Sequence, residues 1–344
     1  MKKYIRIMVS YILVWGIIMG CLNWLLTSNY EYSYMMLREL YQCPENIDVL
    51  FAGSSHAFRT YDTALADELL GVKTYNTGSN GQLLATSYYL IREVAERNRL
   101  KTVYLDTCFM ISQRSIPENE SSLYFVSDYM EWSWNKIRYL WDAGGMRSFA
   151  NGIFCTSRRN LRNINIAENI RSKSLAAGDY TNLTFDHEIY KGDGFVYVDA
   201  KMEEDVDFME KAEQYDLTGD IPMVDDAYEY LIKIIDYCAE NDIELVLVDQ
   251  PMPDELITNV KGYDNYVAFM YELAQKNNID YMNFNLCKGY EKSIDDYYDE
   301  NHLNGRGAEK YTEFFCNTVN LLGKSDKTID DLFYREYSYV GQAE

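Results

Sequence analysis

"IDVLFAGSSHAFRT" runs from Ile47 to Thr60. Its first half is a short apolar run of the kind that forms a buried strand. The second half changes abruptly, with Gly53, Ser54, Ser55 and His56 following the run directly. Two readings compete for that change. A serine after a strand caps the next helix in many proteins. A serine on a strand-to-helix turn can also be a nucleophile, because the free N–H groups of the helix start stabilise a developing oxyanion. The residues up to Asp62 and Leu65 read as a turn into a helix, which puts Ser55 near that start. Ser54 is the rival nucleophile if the turn is offset by one residue.

Outward from this stretch, apolar runs alternate with helical patterns. Strands are expected at 47–52, 72–75, 102–105, 244–248 and 279–284, and helices at 61–70, 83–98, 225–241, 263–277 and 307–322. Alternation of this kind implies right-handed crossovers and a parallel sheet covered by helices on both faces. The expected fold is therefore α/β, a three-layer, doubly wound (flavodoxin-like) parallel sheet over 47–322. The rhythm breaks at about 110–222, where Trp132, Trp134 and Trp141, a basic patch of Arg158, Arg159 and Arg162, and "KGDGF" occur. This segment reads as an insertion over the C-terminal edge of the sheet, where ligands bind in open α/β folds, or as a separate small domain. The segment 323–344 reads as a polar, loosely held tail.

Lys2, Lys3 and Arg6 precede an uncharged stretch from Ile7 to Tyr30. About 20 apolar residues make about 30 Å of helix, enough to cross a bilayer. Tyr11, Trp15 and Trp24 suit the membrane interfaces, and the basic end is expected to stay in the cytoplasm. The expectation is a single-pass anchor in 1–30, a helical juxtamembrane segment in 31–46 and an extracytoplasmic main domain. A cleaved signal peptide would need an A-x-A-like site, and the apolar run continues past the lipoprotein-like box ending at Cys21. The net charge of -22 argues against nucleic acid as a partner. The seven cysteines include no C-x-x-C pair. Nothing in the sequence points to a metal or another cofactor.

Two further stretches carry chemistry. Asn76-Thr77-Gly78-Ser79-Asn80-Gly81 follows the second strand, and its glycines permit a turn that brings backbone close to a ligand. Asp299-Glu300-Asn301-His302 precedes the last helix. An aspartate three residues before a histidine can fold back onto the ring and fix its tautomer, as a triad acid does. Each stretch alone is also an ordinary loop. Doubly wound topology, however, brings segments that follow strands to one edge, so a nucleophile, a backbone donor and an oriented base can meet there.

With these blocks in hand, the chain resembles the SGNH (GDSL-like) hydrolases over about Ile47 to Leu322, the insertion excepted. Gly53-Ser54-Ser55 stands where that family has Gly-Asp-Ser, and Asn76–Gly81 resembles its second block. Asp299-x-x-His302 matches its last. The resemblance implies Ser55 as nucleophile, His302 as base, Asp299 as orienting acid, and the N–H groups of Ser55 and Gly81 as oxyanion donors. His56 and Asn80 are candidate substrate contacts, with His56 favoured as a structural residue. One departure stands out: "YLDTCFM" (Tyr104–Met110) lacks the asparagine that the family's third block supplies to the oxyanion hole. The anchor plus Gly-Ser-Ser is similar to the DltD-like and AlgJ-like subgroup. That likeness implies acyl handling on a cell-surface polysaccharide or teichoic acid beside a multi-spanning membrane O-acyltransferase. A non-catalytic scaffold or polymer-binding protein of the same fold is the alternative.

Overall fold

The computed structural model describes residues 2–155, 158, 164–174, 180–203 and 205–337. Arg159 and Arg162 of the expected basic patch lie outside the described residues. The central sheet is built from β1 (Val49–Ala52), β2 (Thr74–Asn76), β3 (Thr102–Asp106), β7 (Glu244–Asp249) and β8 (Asp280–Asn283). Three further strands, β4 (Thr184–Phe185), β5 (Glu188–Gly192) and β6 (Phe195–Val198), form a separate antiparallel sheet. The central sheet is wholly parallel in the order β2-β1-β3-β7-β8. Renumbered along the sheet this is 2-1-3-4-5, the flavodoxin-like order.

The alternation of side chains along each strand decides which helices cover which face. Leu50, Val103, Leu105, Leu245 and Leu247 point into one apolar layer, packed beneath helices Leu84–Ala95, Asp225–Glu240 and Tyr263–Asn277. Val49, Phe51, Tyr104, Val246 and Val248 point into the other, against helices Thr63–Leu70 and Gly305–Lys324. Phe51 lies at the centre of that second layer, its ring stacked on Tyr61 at 4.0 Å. Burying a side chain of this size contributes about 1.5–3 kcal/mol.

The strands fall where the apolar runs predict them, but the element after β1 differs. The expected single helix over 61–70 is two pieces, a one-turn helix Ser55–Phe58 and then Thr63–Leu70. Asp62 explains the break: its carboxylate accepts from Ala64 N and Leu65 N and so starts a new helix. Gly71, at φ 69, ends it. The last helix likewise begins two residues earlier than expected, where Asn304 caps it through Gly307 N at 2.9 Å.

Thr312, in the middle of that last helix, is fully buried. Its hydroxyl donates to Thr60 O at 3.0 Å and accepts from Asp62 N at 3.0 Å. The end of the molecule is thereby stitched to the turn that follows Ser55.

The insertion carries the antiparallel sheet and several short helices, and it touches the central domain at defined points. Asn76 N donates to Asp193 O at 3.0 Å, which docks the β5–β6 turn on the edge strand β2. The segment expected to be a loose tail is packed in its described part: helix Ile329–Leu332 has a capping box, Phe333 is buried, and Tyr334 N donates to Leu286 O at 2.9 Å.

The N-terminal helix Lys2–Leu26 is long and apolar enough to cross a membrane. Its far end is gripped by the insertion. Asn23 donates to Ile153 O at 2.9 Å and accepts from the Cys155 thiol at 2.7 Å. Asn169 donates to Leu25 O, and Lys173 donates to Thr27 O and Asn29 Oδ1.

The turn at Gly194 gives a direct check on the docking of the insertion. Gly194 has φ 83, and a Cβ there would collide with the carbonyl of Asn76. Gly194→Ala is expected to destabilise the fold by about 2–4 kcal/mol. Urea unfolding measures this, and an unchanged midpoint would mean that the turn does not seat as described.

Candidate active site

Ser55 is the first residue of the one-turn helix after β1, and Gly53 makes the approach possible. Gly53 has φ 154, and a Cβ there would strike Asp106 at the end of β3. The Ser55 hydroxyl lies 2.8 Å from His302 Nε2. His302 Nδ1 lies 2.8 Å from Asp299 Oδ2 and 3.0 Å from Oδ1. The same carboxylate accepts from the backbone N–H groups of Asn301 at 3.0 Å and His302 at 2.8 Å. Burial pushes the Asp299 pKa up. The His302 ring and the two amides outweigh that and hold it well below the usual carboxylate range. An ionised carboxylate only accepts, so His302 Nδ1 carries the proton and Nε2 is left as the acceptor for the Ser55 hydroxyl.

Ser54, the rival, is differently placed. It is 1% exposed, and its hydroxyl donates to Asp106 Oδ2 at 3.1 Å. It also lies 3.3 Å from His56 Nδ1. His56 is 6% exposed, so it has almost no surface for a substrate. Its ring stacks on that of His302, with centroids 4.4 Å apart and planes at 23°. Burial, then the neighbouring His302 and Arg59 charges, push the His56 pKa well below the ordinary histidine value against the pull of Asp299. His56 thus buttresses the His302 ring as an uncharged neighbour. Tyr298 also stacks on His302, at 5.6 Å, and the Arg59 guanidinium lies over the Tyr298 ring at 5.4 Å. Arg59 pairs with Glu188 of β5, so the antiparallel sheet reaches the site. On another side Lys211 pairs with Glu300 at 2.5 Å.

The second block sits against the first. A Cβ on Gly78 would lie 2.7 Å from Ser54 O and 2.7 Å from Phe58 N, so only glycine allows this contact. Gly81 has φ 55, and its N–H has no acceptor among the described residues. Asn80 is exposed and has no hydrogen bond among the described residues.

Two donors of the third block are engaged within the core. Thr107 donates to Asp249 Oδ1 at 3.0 Å, and Cys108 N donates to Asp106 Oδ1 at 3.1 Å. Burial and the nearby Asp249 push the Asp106 pKa up to about 7, despite hydrogen bonds from Cys108 and Ser54. Sequence reasoning registered Asp106 only as part of a block without asparagine. Its link to Ser54 spans 52 residues and leaves no local signal. Arg59 and Glu188 were missed for the same reason, being 129 residues apart. Among the described residues no cluster of side chains is arranged to hold a metal ion.

No family model matches the chain, and no curated protein matches it. Among solved structures, the chain is similar to a provisionally assigned acylhydrolase from Bacteroides fragilis. The identity is 10%, the TM-score is 0.36, and 83% of this chain and 93% of that chain are covered. It is also similar to a provisionally assigned lipolytic protein of the G-D-S-L family from Desulfitobacterium hafniense, at 10% identity and a TM-score of 0.37, with 79% of this chain and 99% of that chain covered. Likeness at this level assigns no activity, so function has to be argued from the geometry of the site.

The depressed Asp299 carboxyl has a consequence for stability. A group whose folded pKa lies below its ordinary value of about 3.9 stabilises the fold fully above that pH. The contribution is lost as pH falls towards the folded value. Asp299→Asn is therefore expected to be less stable than the wild type at neutral pH, with the gap narrowing below about pH 4. Urea unfolding across that range measures it, and a gap that stays constant would contradict the assignment.

Proposed function

We propose that the chain is a membrane-anchored, extracytoplasmic serine enzyme of the SGNH type, an esterase or O-acyltransferase. One observation carries the proposal: a serine at a helix start whose hydroxyl lies 2.8 Å from a histidine that a carboxylate orients from behind. Ser55 Oγ attacks an acyl carbonyl carbon while its proton passes to His302 Nε2. The carbonyl oxygen becomes an oxyanion facing the N–H groups of Ser55 and Gly81. Collapse of this intermediate breaks the ester C–O bond, and His302 returns the proton to the departing alcohol, leaving an acyl-Ser55 ester. A second acceptor then loses its proton to His302 and takes the acyl group, which regenerates the Ser55 hydroxyl. With water as acceptor the enzyme is an esterase; with a polymer hydroxyl it is a transferase.

The anchor supports action near a membrane surface. The basic N-terminal residues put that end in the cytoplasm and the main domain outside. The proposed substrate is an acylated cell-surface polysaccharide or teichoic acid, with a multi-spanning membrane O-acyltransferase as the proposed partner. No cofactor enters this chemistry.

The test is covalent labelling. The full chain in detergent is expected to react with a fluorophosphonate probe, and Ser55→Ala should abolish labelling. His302→Ala should slow it by at least about 10³-fold. Labelling that survives in Ser55→Ala overturns the assignment. A folded wild type that never labels would instead support the scaffold reading, which the absence of an asparagine from the third block favours.

A further inference from the structure

Arg114 lies on the turn after the short helix Phe109–Ser112, eight positions beyond Asp106 and just past the third block, which lacks the asparagine. Its guanidinium rests over Gly81: Nη2 is 3.1 Å and Nη1 3.6 Å from where a Cβ on Gly81 would stand. A Cβ lies about 2.5 Å from its own backbone nitrogen, so the guanidinium is within about 6 Å of the Gly81 N–H. Glycine keeps this approach open, since a side chain at 81 would press on the arginine.

The guanidinium is also short of partners. Its one hydrogen bond among the described residues goes from Nη2 to Ser122 Oγ, at 3.4 Å. Its Nε is buried and makes none. Among the described residues no carboxylate pairs with it, although the chain holds 54 acidic residues against 32 basic ones. Taking a cation partly out of water without a counter-charge is costly, so an unpaired arginine at such a place suits an anion that is present only during part of the reaction.

We propose that Arg114 replaces the missing third-block donor and stabilises the oxyanion that forms at Ser55, together with the N–H groups of Ser55 and Gly81. The inference rests on the serine-enzyme reading and supplies what that reading lacks. A cation close to the developing negative charge favours the transition state over the neutral ester. The arginine therefore acts on turnover rather than on binding of an uncharged substrate.

The experiment uses the full chain in detergent, with p-nitrophenyl acetate as a neutral ester. Turnover that disappears in Ser55→Ala secures the underlying reading. Arg114→Gln is then expected to lower kcat by about 10²-fold, with KM changed by less than about three-fold. Arg114→Lys keeps the positive charge without the guanidinium geometry, so its kcat should fall between those of the wild type and Arg114→Gln. Added guanidinium ion should restore part of the kcat of Arg114→Ala, which a purely structural arginine would not allow. Thermal midpoints of the variants separate a catalytic loss from unfolding, and rescue by guanidinium decides the matter if Arg114→Gln is unstable. Unchanged kcat in Arg114→Gln, or a KM effect confined to anionic esters, overturns the proposal. Turnover that persists in Ser55→Ala overturns both the proposal and the reading beneath it.

Discussion

The hydroxyl of Thr312 holds two parts of the chain that are 250 residues apart. It donates to Thr60 O and accepts from Asp62 N, so its one donor and its acceptor face are both used where no water can compete. Thr60 and Asp62 end the turn that begins at Ser55. Thr312 belongs to the helix that begins just after His302. The 2.8 Å separation of Ser55 and His302 is therefore set by helix placement as well as by the loops that bear the two residues. Asn304 fixes the other coordinate, donating to Asp295 O and Tyr297 O while capping the helix through Gly307. The Asp299–His302 loop is held between these two anchors.

Around that frame the site is layered by charge. Asp299 is kept ionised, and His56 is kept neutral against His302. A neutral ring beside His302 tolerates a positive charge on that imidazole. A charged one in the same place would resist its protonation. The Ser54–Asp106 contact holds His56 from below, so the second serine of the opening motif has a use that is distinct from that of the first.

Much of this was legible in the sequence, because it depends on local pattern. The strand runs, the Gly-Ser-Ser turn and the Asp-x-x-His spacing each express a short-range constraint, and the parallel topology that follows from alternation brings Ser55 and His302 together. What escaped was of two kinds. Helix breaks set by one capping side chain, as at Asp62, are blurred in an apolar pattern. Contacts such as Arg59–Glu188 and Arg114–Gly81 join the insertion to the core, and an insertion has no rhythm from which its position can be inferred. The packed segment around Phe333 escaped because one buried aromatic among polar residues looks like a tail.

The grip on the far end of helix Lys2–Leu26 has a mechanical consequence. Asn23, Leu25, Thr27 and Asn29 all bond to the insertion, so the stem enters the globular part without a swivel. If the helix is the proposed anchor, a stiff stalk gives up lateral reach and holds Ser55 at one altitude above the lipid. The proposed polymer substrate would then be worked on only where its strands pass through that thin stratum, and chain segments farther out would escape however abundant they were.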